Sequence, residues 1–545
     1  MTNPETGVPP FLRKRAEQLG SKEAIVLGDR RESFESIESA SARLARGLLC
    51  AGVGKGTRVG VLFPNGPDWA TAFFAAARIG AITVALNTFY QPRELAWTLR
   101  HADVHTLPTV DHFLSNDYLA SLEHAFPKID DSRKDALYLA DAPHLRQIFV
   151  WGDCDRSWAR PAADFEALAE SSRVDDDFLA SVESAVTPSD SLLIVYTSGS
   201  TADPKGVLHT HAAVLRHSRE LATLRGLRES DRVWLPMPLF WIGGVAFGLL
   251  GNMHVGATSV FDGPFEAGRT LEVLERERVT ISTAWPHYVK AMQEHPDFAH
   301  RDLSAFRSGD TRDALQPQPE RDPGLQAQPF GMTETCGPHT FGDITKDLPE
   351  KLRGSFGVPL AGVEHKIVDP ETGESLPEAA EGEICVRGWS LMQGLYKKER
   401  EETFDPDGYY HTGDGGYLKD GSLYFTGRLG DMIKTGGANV APSEVEAVIL
   451  ECPEVLEAYV AGVPDPVRGQ IVAAAVVLRP DQQLAEEELR GRLKRQLSAF
   501  KLPRLLAFFE QGVLPYRPNG KIDKLGLVAV LADRMRGNEA QQPGG

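Results

Sequence analysis

The segment 196–206, with the sequence YTSGSTADPKG, combines the residue types that bind phosphate groups. It contains Thr197, Ser198, Gly199, Ser200, Thr201, Lys205 and Gly206. Hydroxyl and backbone N–H groups donate hydrogen bonds to phosphate oxygens, and the lysine adds a positive charge. The spacing differs from that of a Walker loop, because Gly206 and Val207 follow the lysine instead of Ser or Thr. A polar surface loop is the plain alternative, but this density of hydroxyls and glycines favours a phosphate site.

The elements around this segment predict where it lies. Residues 191–198 have the pattern of a buried strand that runs into it, and residues 209–227 have a helical pattern behind it. A glycine-rich turn between a buried strand and a helix is a frequent ligand site in α/β sheets. Upstream, a helical pattern at 34–53 is followed by strand patterns at 58–65 and 81–87. This alternation predicts βαβ units and a largely parallel sheet.

Length, charge and cysteine content exclude several classes of protein. The chain has 545 residues, which is more than one hydrophobic core usually supports, so we expect at least two domains. With 58 Lys and Arg against 76 Asp and Glu, the formal charge is −18, which disfavours a nucleic-acid surface. The five cysteines lack metal-ligand spacing and predict a reducing compartment. The chain shows no signal-peptide pattern or membrane span, so we expect a cytoplasmic protein.

The pattern of the chain changes near residue 430. Short strands with turns precede this point, and a compact α/β pattern follows it. Residues 443–446 read as a capping box that opens a helix running to residue 451. We therefore predict an N-terminal domain at 1–429 and a C-terminal domain at 430–545, with a disordered tail at 535–545.

Taken together, these features resemble the adenylate-forming superfamily, which includes acyl-CoA synthetases, adenylation domains of peptide synthetases and luciferases. Segment 196–206 is similar to its signature loop. Further similar motifs follow in the expected order: FGMTET at 330–335, YHTGD at 410–414, TGR at 426–428, a glycine pair at 436–437 and PYRPNGKIDK at 515–524. The resemblance covers about residues 34–524. It implies an α/β fold, with a large multi-subdomain N-terminal domain of mixed sheets sandwiched by helices and a small, mobile α/β C-terminal domain.

The resemblance implies an ATP-dependent acid–thiol ligase, an acyl-CoA synthetase. Such an enzyme joins a small-molecule carboxylic acid to AMP, and then transfers the acyl group to CoA or to a carrier-protein thiol. The nucleotide site implied by the motifs comprises Thr197, Ser198, Gly199, Ser200, Thr201, Lys205, Phe330, Gly331, Thr333, Asp414 and Arg428. Phe330 would pack on adenine, Asp414 would bind the ribose hydroxyls, and Glu334 would hold Mg²⁺.

The same resemblance implies the remaining sites. Acyl-binding residues would be Phe240, Trp241, Gly243, Gly244 and Trp285, and the pantetheine passage would be lined by Gly436, Gly437 and Asn439. The catalytic set would be Lys521, Thr333, Glu334 and Lys434, with Gly430 as the hinge of the C-terminal domain. Lys521 would reach the carboxylate and the α-phosphate during adenylation and move away for thioester formation.

The chain departs from the superfamily pattern at three places on the nucleotide and acyl sides. Ala202 stands where a glycine is usual, and Trp241 stands where acyl-CoA synthetases often have histidine. Residues 307–328, including Asp310, replace a Gly-Gly-Ala-type segment. Since the thiol-side residues are intact, these departures suggest an enzyme that adenylates weakly and is specialised for thioester formation, using a preformed acyl-adenylate.

Other functions stay open. An amino-acid or aryl-acid adenylating enzyme that loads a carrier protein is the main alternative. Against it, residues 240–244 have no Asp to hold a substrate amine, and we expect no carrier domain after residue 545. A catalytically inactive nucleotide-binding protein is disfavoured, because Glu334, Asp414, Arg428 and Lys521 are all present. We expect an apolar acid, conceivably a bulky acid of secondary metabolism, and either a monomer or a homodimer.

Overall fold

The computed structural model describes residues 7–170, 174–197, 204–307, 322, 325–326, 328–342, 347–429, 432–516 and 522–539. Several residues to which the sequence assigns roles lie outside these ranges. They are Ser198, Gly199, Ser200, Thr201, Ala202, Asp310, Gly430 and Lys521. For Arg428 only the backbone position is described.

The largest sheet has eight strands and confirms the predicted βαβ character of the N-terminal part. In spatial order its strands are Gly394–Leu395, Lys205–Thr210, Ser191–Thr197, Ile82–Ala85, Arg58–Val61, Val104–Val110, Gln147–Trp151 and Arg160–Pro161. All neighbours are parallel except those of Lys205–Thr210, which is antiparallel to both strands beside it. This strand was missed, because its residues were assigned to the loop and to the start of a helix that begins only at His211.

A second sheet has five strands. In spatial order these are Ile281–Ser282, Arg232–Trp234, Thr258–Phe261, Glu23–Leu27 and Arg30–Ser33. Three helices pack between the two sheets: Val8–Leu19, Phe34–Cys50 and Pro67–Arg78. The helix Pro67–Arg78 starts at a proline, which has no N–H to leave unpaired at the first turn. Nearly all its side chains are buried, so it forms the centre of the layered core.

A third, four-stranded antiparallel sheet carries the second half of the N-terminal part. Its strands are Val363–Val368, Gly382–Gly388, Tyr410–Lys419 and Ser422–Arg428, in that order. Small two-stranded pairs join Gly331–Met332 to Gly337–Pro338, Thr340–Phe341 to Val358–Pro359, and His112–Phe113 to Asn116–Asp117. Further helices are Pro92–His101, Tyr118–Ala125, Ala162–Glu170, Asp176–Ser184, His211–Leu224, Gly251–Val255, Ala267–Arg276, Pro286–Gln293 and Arg400–Thr403, with a π-helix at Gly243–Leu250.

The C-terminal part is a small α/β unit with its own sheet. The long strands Val455–Asp465 and Gly469–Leu478 are antiparallel, and Leu505–Phe509 pairs in parallel with Gly469–Leu478. The strands Ile433–Thr435 and Ala438–Val440 form a hairpin, which joins the sheet where Thr435 pairs with Gly469. The helices are Pro442–Leu450, Glu486–Lys494 and Lys524–Glu539. The chain is therefore α/β, with a large N-terminal domain of mixed sheets and a small C-terminal domain.

Two local predictions in this unit were wrong. The helix expected from a capping box at 443–446 begins at Pro442, after Ala441 as its N-cap residue. Proline at the first helical position starts the helix without a side-chain cap. Residues 535–539, predicted to be a disordered tail, belong to the helix Lys524–Glu539.

Within the described ranges, no helix is long and apolar enough to cross a membrane. The cytoplasmic location stays a prediction.

Candidate active site

Two adjoining cavities lie where the C-terminal unit meets the N-terminal sheets. The inner cavity has a volume of about 340 Å³ and is lined by Thr197, Thr333 and Asn439, among others. The outer cavity, of about 710 Å³, opens beside it. Both are lined by Trp241, Trp285, Ala438 and Phe500, so these four residues form the boundary between them.

The strand ladder places the two described ends of segment 196–206 together. Thr197 is the last residue of the strand Ser191–Thr197, and it pairs with Lys205 on the antiparallel strand Lys205–Thr210. Thr197 and Pro204 both line the inner cavity. Thr197 therefore faces the inner cavity, and Lys205 lies beside it on the neighbouring strand without lining the cavity itself.

The turn that follows Phe330 is tightly built. Gly331 pairs with Pro338, and a Cβ at Gly331 would lie 2.3 Å from the carbonyl oxygen of Gly337. The backbone therefore turns here only with glycine. Gly331, Met332 and Thr333 then line the inner cavity.

His209 holds this turn from behind. Its Nε2 lies 2.9 Å from the carbonyl oxygen of Thr333, which can only accept, so Nε2 carries the proton. The ring is fully buried, and burial lowers the pKa of His209 to about 4. His209 is thus a neutral donor at physiological pH. The sequence did not assign it a role, because it stands in a strand that was not recognised.

Glu334 is a nearly buried carboxylate next to Thr333, with 9% of its surface exposed. The hydroxyl of Tyr410 donates to its Oε1 at 3.3 Å, and its backbone oxygen accepts from Met392 N at 2.8 Å. The side chain is therefore fixed by another motif, YHTGD, to which Tyr410 belongs. A single carboxylate beside a hydroxyl group suits Mg²⁺, which usually takes few protein ligands and is completed by phosphate oxygens and water.

The turn that carries Asp414 is held by hydrogen bonds from its neighbours. Thr412 Oγ1 donates to the Ile384 carbonyl at 2.6 Å and accepts from Asp414 N at 3.0 Å. Gly413 N donates to Glu383 Oε1 at 2.9 Å. Asp414 pairs with Arg428 across the strand ladder, which brings the two predicted ribose residues to one place. Asp414 is buried and lines neither cavity.

Phe330 lies in an aromatic cluster instead of on a cavity wall. Its ring is buried against Phe356 and Phe425, with ring centroids 5.4 and 4.9 Å away. Lys434 Nζ lies 5.6 Å from the Phe330 ring centre and 5.1 Å from that of Phe425. This cation–π geometry brings the C-terminal hairpin to the predicted adenine motif.

Aromatic residues form the wall between the cavities. The rings of Trp241 and Trp285 meet edge to face at 6.0 Å, and Phe240 contacts Trp241 at 5.6 Å. Gly243 lines the inner cavity, whereas Gly244 lines neither. A Cβ at Gly244 would lie 2.0 Å from the Pro238 carbonyl oxygen, so Gly244 allows the close approach that shapes the wall.

The hairpin turn at 436–437 sits directly on this wall. Gly437 has φ +86°, and a Cβ there would lie 2.1 Å from Trp285 Nε1. Gly436 has φ +54°, and its N–H donates to the Arg468 carbonyl at 3.0 Å. Gly437 and Asn439 line the inner cavity, and Gly436 lines the outer one. The predicted pantetheine residues are therefore brought to the boundary of the two cavities.

The outer cavity has a cationic side that sequence reasoning missed. It is lined by Arg468, Arg490 and Arg504, and His287 adds a further nitrogen-bearing ring. Burial and the neighbouring Arg468 lower the pKa of Arg504. Arg490 is held by Glu486 and by the carbonyl oxygens of Pro503 and Arg504, so Arg468 and Arg504 are the pair of guanidinium groups that suits an anion here. Nothing in the spacing of the three arginines signals the site, because they come from three separate elements.

Lys521 lies outside the described residues together with residues 517–520, and Tyr516 and Ile522 are the described residues on either side of this segment. Tyr516 and Ile522 pair with each other and pack with the apolar cluster of the C-terminal sheet and the last helix. Neither residue lines a cavity.

Comparison with known families gives two matches. A model described as AMP-binding enzyme matches residues 12–396, and one described as AMP-binding enzyme C-terminal domain matches residues 444–521.

Known proteins similar to the chain over nearly its whole length include two ligases and one solved structure. The mitochondrial medium-chain acyl-CoA ligase ACSF2 of Rattus norvegicus is 30% identical, covering 95% of this chain and 86% of that one. 4-Coumarate–CoA ligase 5 of Oryza sativa subsp. japonica is 30% identical, covering 92% and 89%. The amide bond synthetase McbA of Marinactinospora thermotolerans is 25% identical, with a TM-score of 0.76 and coverage of 96% and 99%.

Proposed function

Because the chain belongs to the AMP-binding enzyme family, as an ATP-dependent enzyme of the acyl-CoA ligase type, we propose that it converts an apolar carboxylic acid into its CoA thioester through an acyl-adenylate. The observation that carries this proposal is the junction of the two cavities. A cavity bordered by the nucleotide motifs meets an arginine-lined cavity at Trp241 and Trp285, with Gly437 between them.

In the first half-reaction, a carboxylate oxygen of the acid attacks the α-phosphorus of ATP. The new O–P bond forms as the bond to pyrophosphate breaks, and pyrophosphate leaves with that electron pair. We assign phosphate contacts to Thr197, Lys205 and Thr333, since donors already in place cost no reorganisation when charge develops. His209 supports Thr333 through its backbone carbonyl. Lys521 would bring a charge to the reacting oxygens.

Glu334 would hold Mg²⁺ in this half-reaction. Bound there, the ion supplies charge neutralisation on the phosphates. The chain's contribution is a carboxylate kept in place by Tyr410.

In the second half-reaction, the thiol sulfur attacks the acyl carbon and loses its proton to water. The bond from the acyl carbon to the phosphate oxygen breaks, and AMP leaves with the electron pair. The thiol would pass Gly436 and Gly437, where a side chain would meet Trp285. We propose that the domain of residues 430–545 turns about Gly430 relative to residues 1–429 between the two half-reactions.

The cationic outer cavity favours CoA over a carrier protein as the acceptor. CoA carries phosphate groups at the far end of its thiol arm, and Arg468 and Arg504 lie on the outer side of the Trp241–Trp285 boundary. Guanidinium groups bind phosphate oxygens with paired hydrogen bonds. A carrier protein would present its arm from a protein surface and would not need an arginine pair beside the cavity.

The aromatic wall favours an apolar acyl group. Phe240, Trp241 and Trp285 offer ring surfaces at the boundary. Medium-chain and aryl acids are both reasonable substrates, since relatives named for each are similar to this chain at the same level. A bulky acid of secondary metabolism belongs in the same test panel.

We further propose that the enzyme catalyses adenylation weakly and is specialised for thioester formation. This proposal rests on Ala202, Trp241 and the segment 307–328, of which only Trp241 lies fully within the described residues. An enzyme of this kind would consume a preformed acyl-adenylate faster than it makes one.

Two assays on the purified chain test these proposals. Acid-dependent exchange of labelled pyrophosphate into ATP reports adenylation, and thioester formation from a synthetic acyl-adenylate and CoA reports the second half-reaction. We expect both, with medium-chain and aryl acids in the panel. Rapid exchange would refute weak adenylation, and exchange without any thioester would refute the ligase.

The alternatives give different results in the same assays. A phosphopantetheinylated carrier protein that outcompetes CoA would support the carrier-loading enzyme. AMP or ATP binding, detected as a rise in melting temperature, with neither half-reaction would indicate an inactive nucleotide-binding protein.

A further inference from the structure

A buried cluster of charged side chains joins the two domains close to the inner cavity. Lys501 Nζ lies 2.6 Å from Glu94 Oε1 and 2.7 Å from Glu444 Oε1. Ser498 Oγ donates to the other oxygen of Glu94 at 2.5 Å. The side chains of Lys501, Glu94 and Glu444 are only 4%, 6% and 9% exposed. Glu94 belongs to the helix Pro92–His101 of the N-terminal domain. Glu444, Ser498 and Lys501 belong to the C-terminal domain.

In this buried cluster the charged side chains interact with one another instead of with water. Burial by itself disfavours a charged lysine, but Glu94 and Glu444 more than offset this and raise the pKa of Lys501. Two carboxylates share one ammonium group, so Lys501 pairs with both Glu94 and Glu444 and the three side chains carry one negative charge in excess. Removing Lys501 would leave two buried carboxylates without this counter-charge and would be strongly destabilising. Neutralising Glu94 leaves Lys501 paired with Glu444 and weakens only the contact between the two domains.

The cluster lies at the base of the hairpin that enters the site. Glu444 stands in the first turn of the helix Pro442–Leu450, which directly follows the strand Ala438–Val440. That hairpin places Gly437 against Trp285. Lys501 itself lines the inner cavity together with Asn439. The contact with Glu94 thus fixes the hairpin relative to the N-terminal domain.

The two carboxylates differ in one respect. Glu444 and Lys501 move together, because both belong to the C-terminal domain. Glu94 can pair with Lys501 only while the domains have the arrangement seen here, in which the glycine turn faces the site. The Glu94–Lys501 pair therefore stabilises this arrangement selectively.

We propose that Glu94 and Lys501 are positioning residues for the thioester-forming half-reaction, holding the glycine hairpin 433–440 in the inner cavity. The proposal rests on the proposed function, since adenylation would require the domain to turn and the pair to separate. It also offers a structural reason for a bias toward the second half-reaction that is independent of Ala202.

The test is Glu94→Gln, which keeps the shape of the side chain and removes its charge. We expect thioester formation from a synthetic acyl-adenylate and CoA to fall at least about tenfold, a factor that corresponds to about 1.4 kcal/mol. Pyrophosphate exchange should stay the same or rise. If Glu94 only stabilised the fold, the substitution would lower the rates of both half-reactions together.

Arg93→Gln is the matched control on the same helix. Arg93 contacts Glu451 and Gln496 of the C-terminal domain at 2.7 and 2.8 Å, but the side chains of its ion pair with Glu451 are about half exposed. Exposed ion pairs contribute little, so this variant should change either rate by less than about twofold. Glu444→Gln is the second comparison: it weakens a pair that persists in both arrangements and should not separate the two rates.

Hydrogen exchange of the hairpin amides gives a readout that needs no activity. In Glu94→Gln the amides of residues 433–440 should exchange faster than in the wild type, with the strands Val455–Asp465 and Gly469–Leu478 unchanged. Equal losses in both half-reactions, or unchanged hairpin exchange, overturns the proposal. Faster hairpin exchange in a chain that forms no thioester would instead support the positioning role and refute the proposed function.

Discussion

Gly437 is the residue at which backbone conformation and close packing meet. Its φ of +86° lies in the region that favours glycine, and a Cβ would be 2.1 Å from Trp285 Nε1. Gly436 has more room, because the nearest atom to a Cβ there is His287 Cε1 at 3.8 Å. A side chain at Gly437 is therefore excluded by contact with Trp285, whereas a side chain at Gly436 is disfavoured mainly by the backbone conformation.

Gly437→Ala should impair thioester formation selectively. Either the hairpin or Trp285 must shift, and overpacking of this kind costs about 1–3 kcal/mol. We expect thioester formation to fall roughly five- to 150-fold, while pyrophosphate exchange changes less than about threefold. The control is Gly491→Ala, in the helix Glu486–Lys494, where a Cβ meets nothing within 4 Å. A similar loss in both half-reactions would contradict the assignment of Gly437 to the thiol passage.

His209 acts on the site only through the carbonyl of Thr333. The same oxygen also accepts from Cys336 N at 2.9 Å, so replacing His209 by leucine removes one of two donors, at a cost of about 0.5–1.5 kcal/mol. His209→Gln can place an N–H near the position of Nε2 and is the conservative comparison. We expect kcat/KM for ATP in pyrophosphate exchange to fall roughly three- to tenfold in His209→Leu and less than about twofold in His209→Gln. Equal effects of the two substitutions would show that the hydrogen bond has no role.

At the scale of elements, the π-helix Gly243–Leu250 forms one side of the aromatic wall. Gly244 allows the close approach of the Pro238 carbonyl, where a Cβ would lie at 2.0 Å. At Gly243 the nearest atom to a Cβ is Met237 Sδ at 3.2 Å, the end of a flexible side chain. The two glycines therefore have different roles. Gly244 permits the close approach of the Pro238 backbone, and Gly243 faces the inner cavity.

The substitutions Gly244→Ala and Gly243→Ala should separate these purposes. Gly244→Ala pushes against backbone and should lower the melting temperature by about 2 °C or more. Gly243→Ala should leave the melting temperature nearly unchanged and shift acid preference toward smaller acids, because its methyl group enters the inner cavity. Thermal unfolding and a panel of acids of increasing size measure the two effects. The reverse pattern would contradict this division.

The elements that the sequence predicts well are those with a clear period. The helix at 34–53 and the strand at 191–198 appear as Phe34–Cys50 and Ser191–Thr197, because each buries one regular face or run. The strand Lys205–Thr210 was missed because it is short and half polar. The π-helix Gly243–Leu250 was not predicted, because its sequence has no pattern that distinguishes it from other buried apolar segments.

The candidate site was predictable only where motifs are contiguous. Thr333, Glu334 and Gly437 stand in recognisable segments, so they could be proposed from the sequence. His209, Tyr410 and the outer-cavity arginines could not be assigned, since their roles depend on contacts between distant elements. The pair of Glu94 and Lys501, which are 407 positions apart, is the clearest case.

At the scale of the whole molecule, buried neutral histidines are a feature of the N-terminal domain. Burial is the first cause of a lowered pKa in each case. The pKa values are about 4 for His209, His211 and His365, and about 3 for His217 and His254. None has a carboxylate close enough to offset the loss of water, so the folded chain holds these rings uncharged.

These histidines predict that stability falls on acidification well above the pKa range of carboxylates. An unfolded histidine has a pKa of about 6.5 and binds a proton below that pH, whereas the folded groups bind one only near pH 3–4. The unfolded state therefore takes up more protons in this window, and the stabilisation present above about pH 6.5 is lost as the pH falls toward 4. Each such group changes the free energy of unfolding by up to about 1.4 kcal/mol per pH unit.

Urea unfolding at pH 7.5, 6.5, 5.5 and 4.5 measures this effect. The free energy of unfolding should be nearly constant down to about pH 6.5. Below that pH it should fall, with a slope that corresponds to the uptake of several protons on unfolding. His254→Gln, which can keep a polar contact with Ser218 Oγ at the 3.0 Å site, should reduce this slope by about one proton. A flat profile between pH 6.5 and 5.5 would mean that the buried rings are accessible to protons in the folded state.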